Sequence, residues 1–402
     1  MKRLVQFRIR IPGEWMDVWL YKGSVLLWSP KGQLFWVALD ALTSEISHER
    51  GIAARLLAEY LIFRNDWKVG EQFQSLQRIA PARDALLTEA VGDEETVTFV
   101  TSLVPQPIPN SEPYEGYLLD VAVTGNRIFS ATTQGLFETE FNPEYPDDDN
   151  EIVKNVDGRV NTVAINGNRV AIAMEEAGLL TGEIEFGGGS EWADHSTSFK
   201  TVDDYAIAAS FSSYNLLNYR GERTPDFLRA KKRSEPAKGR QAYDRTVIVE
   251  HERPVSIAEP LMEAASLAFD ARRDVNPNDV YVVGNSNFRL LVSDGNEYAA
   301  VINLGWGSPA EKRGIAPNRE FTKSAIDVKA VAGASSTQEL KSGFVLEGFD
   351  YIGLMTERGY YRASAESVLR TRTFPRSRRH ADTFAIVGNH HVEIAGFLET
   401  DG

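Results

Sequence analysis

Short apolar runs of two to five residues, separated by glycine and polar turns, fill most of this chain. Val121-Ala122-Val123, Ile128-Phe129, Val163-Ala164-Ile165 and Val170-Ala171-Ile172-Ala173 are typical. Their length and their β-branched content predict strands rather than helices. Two of the runs repeat each other. Leu-Asp-Val-Ala-Val-Thr-Gly-Asn-Arg-Ile-Phe-Ser-Ala around Gly125 matches Asn-Thr-Val-Ala-Ile-Asn-Gly-Asn-Arg-Val-Ala-Ile-Ala around Gly167, 42 positions on. Each copy then reaches a second Gly-Leu pair, Gly135-Leu136 and Gly178-Leu179.

The same pair of glycines brackets other apolar runs: Gly23 and Gly32, Gly284 and Gly295, Gly348 and Gly359. Gly388 lies between Phe384–Val387 and His391–Ala395, and Tyr205–Ala209 with Tyr214–Leu217 forms a degenerate copy. That makes seven units of three strands, A to C, with fourth strands D expected at 95–104, 151–155, 198–202, 246–250, 326–331 and 368–374. The last unit lacks a D strand of its own. Leu4–Ile11 alternates over eight residues, the pattern of an outer strand with one wet face, and is expected to supply it.

Self-similarity at this period, built from short strands, resembles the β-propeller proteins over nearly the whole chain. The implied fold is all-β with a helical insertion: a seven-bladed β-propeller, four antiparallel strands per blade, its N-terminal strand closing the last blade. Residues 1–402 are expected to form one domain. No Gly-His…Trp-Asp pair and no double-glycine kelch motif points to a particular propeller family.

Departures from the repeat mark candidate sites. The largest, 40–93, carries Ile52, Leu56 and Tyr60, with Ala53, Leu57 and Leu61 beside them, at helical spacing; Phe73, Leu76, Ile79 and Ala80 repeat the pattern up to Pro81. A helical hairpin is expected, its apolar face packing on the blade edge or docking a partner. The second departure, 220–245, holds nine Lys or Arg, including Arg229, Lys231, Lys232 and Arg233, among four acids. It reads as a mobile basic loop, solvated or able to capture phosphate or an acidic surface. A third, Trp306 to Thr322, rich in Gly and Pro, belongs to the same C–D type of connection in the fifth unit, so all three are expected on one face. Arg370, Arg372, Arg376, Arg378 and Arg379 form a denser basic cluster, expected on the opposite face, either clamping an anion or paired with nearby acids. A short helix is expected at 260–269.

Composition narrows the functional classes. The 402 residues carry a net charge of −14, which opposes whole-body attraction to nucleic acid. There is no cysteine, hence no disulfide or thiolate metal site. No apolar run approaches a membrane span, and Arg8 and Arg10 interrupt any signal-peptide core, so a cytoplasmic protein without membrane association is expected. The six histidines are not spaced as metal pairs. Asp147-Asp148-Asp149-Asn150 lacks the spacing of a calcium loop, and no nucleophile elbow, P-loop or dinucleotide glycine motif occurs. The expectation is a non-catalytic scaffold or complex subunit that binds other proteins and needs no cofactor or metal. The alternatives are a propeller hydrolase or lyase acting at the central channel, and a nucleic-acid accessory protein using the basic segments.

Overall fold

The turns between strands show why glycine and asparagine punctuate the repeat. Lys22 and Gly23 (φ 43° and 84°) and Gly125 and Asn126 (φ 55° and 65°) place both central residues at positive φ. Two-residue turns of this kind match the right-handed twist of the strands they join. The structure, a computed structural model, describes residues 2–64, 95–109, 111, 115–141, 152–184, 197–212, 215–221, 224–228, 230–236, 245–251, 255–268, 279–285, 289–304, 315–318, 320–321, 325–364 and 368–401. Among them, seven sheets of four or more strands form a seven-bladed β-propeller.

The chain divides into two compact units. One, Glu115–Glu140 and Ile152–Glu320, contains the second to fifth blades. The second blade runs Leu118–Thr124, Arg127–Thr132, Gly135–Glu140 and Ile152–Asp157; the third runs Thr162–Asn166, Arg169–Ala173, Leu179–Glu183 and Phe199–Asp203. Both agree with the sequence expectation. The fourth has Ala208–Ser212, Asn215–Tyr219, Asp226–Leu228 and, as its outermost strand, Val255–Ser256. The segment 246–250, expected there, instead lies in Arg245–His251, which pairs with Ala230–Pro236 as a separate hairpin. The fifth blade ends in Ile315–Pro317, within the stretch expected to be insertion, while Val328–Ala332 is a short helix rather than its outer strand. Ala258–Ala268 is the expected connecting helix, burying Leu261, Ala264 and Ala265.

The other unit, Met1–Tyr114, Phe141–Glu151 and Phe321–Gly402, contains the sixth, seventh and first blades. The sixth blade begins one strand earlier than expected, with Ala334–Glu339, then Gly343–Gly348, Ile352–Thr356 and Gly359–Ser364. Its inner strand, Ala-Ser-Ser-Thr-Gln-Glu, is polar and so carries no apolar signal. The shift moves 368–374 into the seventh blade, where Arg370–Thr373 is the inner strand, followed by Thr383–Val387 and His391–Asp401. Lys2–Pro12 completes that sheet, antiparallel to His391–Asp401 along its full length. The first blade is Asp17–Tyr21, Ser24–Trp28, Leu34–Ala38 and Gln106–Pro107. Thr96–Val100, expected as its fourth strand, instead adds a fifth, parallel strand to the seventh blade, outside Lys2–Pro12.

Apolar side chains from successive blades merge into continuous cores. Phe7, Ile9 and Ile11 of the closing strand pack with Val18, Leu20, Val25 and Leu27 of the first blade. Polar bonds then fix neighbouring inner strands. The Val163 amide donates to Asp120 (2.8 Å), the Ala209 amide to Thr162 Oγ1 (3.2 Å), and the Ser210 and Tyr219 hydroxyls to Asn285 Oδ1 (2.9 Å each). Burial pushes the Tyr219 hydroxyl up to about 12, beyond the lowering by Ser210. None of the described helices is long and apolar enough to cross a membrane.

Candidate protein-binding surface

The helical insertion grows directly from the third strand of the first blade. Leu39–Ala58 is helical, and the last turn, Glu59–Phe63, widens to π spacing. Gly51 divides the helix, with φ 85° and ψ 173°, a backbone region essentially reserved for glycine. Before the break, Leu42 and Ile46 enter the first-blade core. Glu45 on this stretch accepts from the Thr101 hydroxyl and from the Ser102 amide (2.7 Å), tying the helix to the chain that returns after the fifth strand. Partial burial pushes the Glu45 carboxyl up, but these serine and threonine donors outweigh it and hold it below its ordinary value.

After the break the helix crosses to the seventh blade. Ala53, Ala54, Leu57, Ala58, Leu61, Ile62 and Phe63 are buried. A Cβ at Gly396 would stand 2.1 Å from the Leu61 carbonyl oxygen, so only glycine allows this approach. The helix end is then locked: the Ile62 carbonyl accepts from Thr383 Oγ1 (2.7 Å) and lies 3.0 Å from His380 Nδ1. The outward side carries Ile52, 69 % exposed, Leu56, and the exposed Arg55, which bridges Glu59 at 2.8 Å. Of the two apolar stripes visible in the sequence, Ala53-Leu57-Leu61 packs inward. Ile52 and Leu56 remain at the surface, while Tyr60 is partly buried against the core.

The arginine cluster separates into two groups. Arg370 and Arg372 sit on the inner strand of the seventh blade and clamp Asp17, at the head of the first blade's inner strand and fully buried. Arg372 Nε reaches Asp17 Oδ1 at 2.7 Å, and its guanidinium lies 5.9 Å from the Trp19 ring centroid. Burial pushes the Asp17 carboxyl up, yet Arg372, then Arg370, more than compensate and hold it below the ordinary carboxylate value. Arg8 and Arg10 of the closing strand engage buried Glu393 in the same manner (2.9 and 2.5 Å). In the other unit, Arg127 bonds Glu138, which also accepts from Asn155 and Thr197. These acids and bases hold blades together.

The second arginine group, Arg376, Arg378 and Arg379, is exposed on the connection from Thr373 to Thr383. Because Arg370–Thr373 is an inner strand, this is an A–B connection, not the expected D–A crossing. It therefore emerges at the same end of the blade as C–D connections, beside the insertion, and His380 on it touches Ile62. The expectation that these arginines lie opposite the insertion is corrected by that contact. Ser377 Oγ accepts from the Arg379 and His380 amides (3.3 and 3.2 Å), shaping the loop. The Lys341 amide donates to Ala381 (3.0 Å), bringing the adjacent turn of the sixth blade alongside.

The remaining candidates distribute as follows. Phe73, Arg229, Trp306 and the tract Asp147–Asn150 lie outside the described residues. Lys231, Lys232 and Arg233 stand in a paired strand, opposite Glu250, Val249 and Ile248, rather than in a loop. Sequence reasoning passed over Phe349, 96 % exposed in a sixth-blade turn, and Leu369. Phe349 lies two residues after Glu347 and Leu369 two before Thr371, whose amide donates to Glu347 (3.1 Å). A phenylalanine between glycine and aspartate in a turn was the available signal.

The described sheets and their connections thus define the class: a seven-bladed β-propeller bearing a helical insertion and a basic connection beside it. No protein-family model matches the chain, and no curated protein matches it either. Solved propellers do resemble it. The β-propeller domain of Myceliophteria thermophila Cps50 (Swd1) gives a TM-score of 0.48 at 8% identity, covering 96% of this chain and 96% of that one. The WD40 domain of Neurospora crassa Pan2 gives 0.45 at 7%, covering 96% and 89%, and the computationally designed Ika8 protein gives 0.41 at 8%, covering 96% and 98%. At such identities the likeness concerns the fold alone.

Proposed function

We propose that this propeller is a non-catalytic interaction subunit that binds another protein through the side bearing the helical insertion. One observation carries the reading. Ile52 and Leu56 stand at the surface of a helix whose opposite side is locked into the blade cores by Leu57, Leu61 and Ile62. An apolar pair held on a rigid support binds without the entropy cost of ordering a loop. Among the described residues, the buried carboxylates Asp17, Glu138 and Glu393 are engaged by arginines that join strands, and buried Asp382 accepts from Ser342.

The test uses the tagged full chain expressed in the cells that naturally make it. A partner should co-purify at near-stoichiometric yield, and Ile52→Asp/Leu56→Asp should lose it while the melting temperature stays unchanged. A chain that elutes alone, or a partner retained by the double variant, removes this reading.

A further inference from the structure

The protein carries 57 acidic and 43 basic side chains, so a solvent-facing group made only of cations is against its overall balance. Arg378 and Arg379 form such a pair, beside Arg376, whose guanidinium is set apart from it by burial and by Glu339. The loop that holds them is fixed at both ends. Phe374 is buried and meets Trp19 edge-on at 5.7 Å, and the Thr383 hydroxyl bonds Ile62. Lys341 is exposed on the neighbouring turn, anchored to Ala381. Leu56 lies on the same helical insertion, six residues before Ile62, and is exposed. Of the acids near the loop among the described residues, Asp382 accepts from Ser342, Glu59 is engaged by Arg55, and Glu339 lies near Arg376.

We infer that this surface receives an acidic amphipathic segment of the partner, its apolar side on Ile52 and Leu56 and its carboxylates on Arg378 and Arg379. The inference rests on the protein-interaction reading above and names the chemistry of the partner. Charge complementarity selects the occupant. Guanidinium groups pair with carboxylates in two-pronged geometry, and a short apolar stripe beside them suits a helix or strand with one greasy face. Phosphate backbone would satisfy the arginines but would leave Ile52 and Leu56 against a charged strand. Because the arginines are exposed, the electrostatic part is screened by salt, whereas the apolar part persists.

The experiment is a fluorescence-anisotropy titration of the full chain with three labelled probes. They are a helical-pattern peptide of Glu and Leu, the same pattern with Lys replacing Glu, and a single-stranded DNA oligonucleotide. The acidic peptide should bind most tightly, with affinity that falls as salt rises. Arg378→Glu/Arg379→Glu should weaken it by about tenfold or more, and the uncharged change Leu56→Ser should weaken it with little change in the salt slope. Tighter binding of DNA, equal binding of the two peptides, or no effect of the arginine variant overturns the inference. Both sites are exposed, and melting curves of the variants must coincide with that of the parent. If the natural partner is lost with Ile52→Asp/Leu56→Asp but kept with the arginine variant, the interaction reading stands and the acidic occupant is wrong.

Discussion

Arg372 grips the carboxylate of Asp17 across 355 positions of sequence, joining the inner strands of the seventh and first blades. Arg370 bonds the same carboxylate from the other side. Asp17 is fully buried, so the pair works in a medium where leaving either charge alone is costly.

Asp17→Ala should therefore destabilise the protein by about 3–5 kcal/mol, the cost of leaving buried cations without their partner. Urea unfolding at neutral pH measures it. The carboxyl is held below its ordinary value, so its contribution is complete above about pH 4 and is lost as pH falls through the lowered folded value. The gap between parent and variant should narrow in that acid range. A gap that widens on acidification would contradict the assignment.

Gly51→Ala should lower stability by about 1–3 kcal/mol through backbone strain alone. No atom lies within 4 Å of the added Cβ, so crowding plays no part. The strain is relieved only if the helix re-aims at this point, which would also displace Ile52 and Leu56. Thermal melts report the first effect, and weakened partner capture reports the second. An unchanged melt would mean that the break is not held in the conformation described.

Gly396→Ala should lift the helix end from the seventh blade, because the new Cβ would meet the Leu61 carbonyl at 2.1 Å. Overpacking of this kind costs about 1–3 kcal/mol. Hydrogen exchange should quicken at the amides of 59–64, including that of Arg64, which donates to the Glu59 carbonyl. If exchange stays slow there, the helix end is not seated against Gly396.

How much of this was legible in sequence depends on the kind of signal. The glycine-bracketed apolar runs located most blades, and the alternation in Leu4–Ile11 identified the closing strand, because side-chain period and turn chemistry are local properties. The sixth blade's inner strand was missed because Ala334–Glu339 is polar. The missing strand displaced the next assignment and put Arg376, Arg378 and Arg379 at the wrong end of their blade. The basic tract at 230–236 was mistaken for a loop because its pairing with Arg245–His251 is written in neither segment alone.

Sequence by itself determined that short strands recur at a blade's period, that the ends of the chain share a sheet, and that a helix interrupts the first repeat. Tertiary structure decided which stripe of that helix is hidden, which arginines are consumed by Asp17 and which face solvent, and that Thr96–Val100 joins the seventh blade rather than the first. Those outcomes depend on which groups meet across hundreds of residues. Burial and charge pairing act through distance in space, and only the folded chain sets that distance.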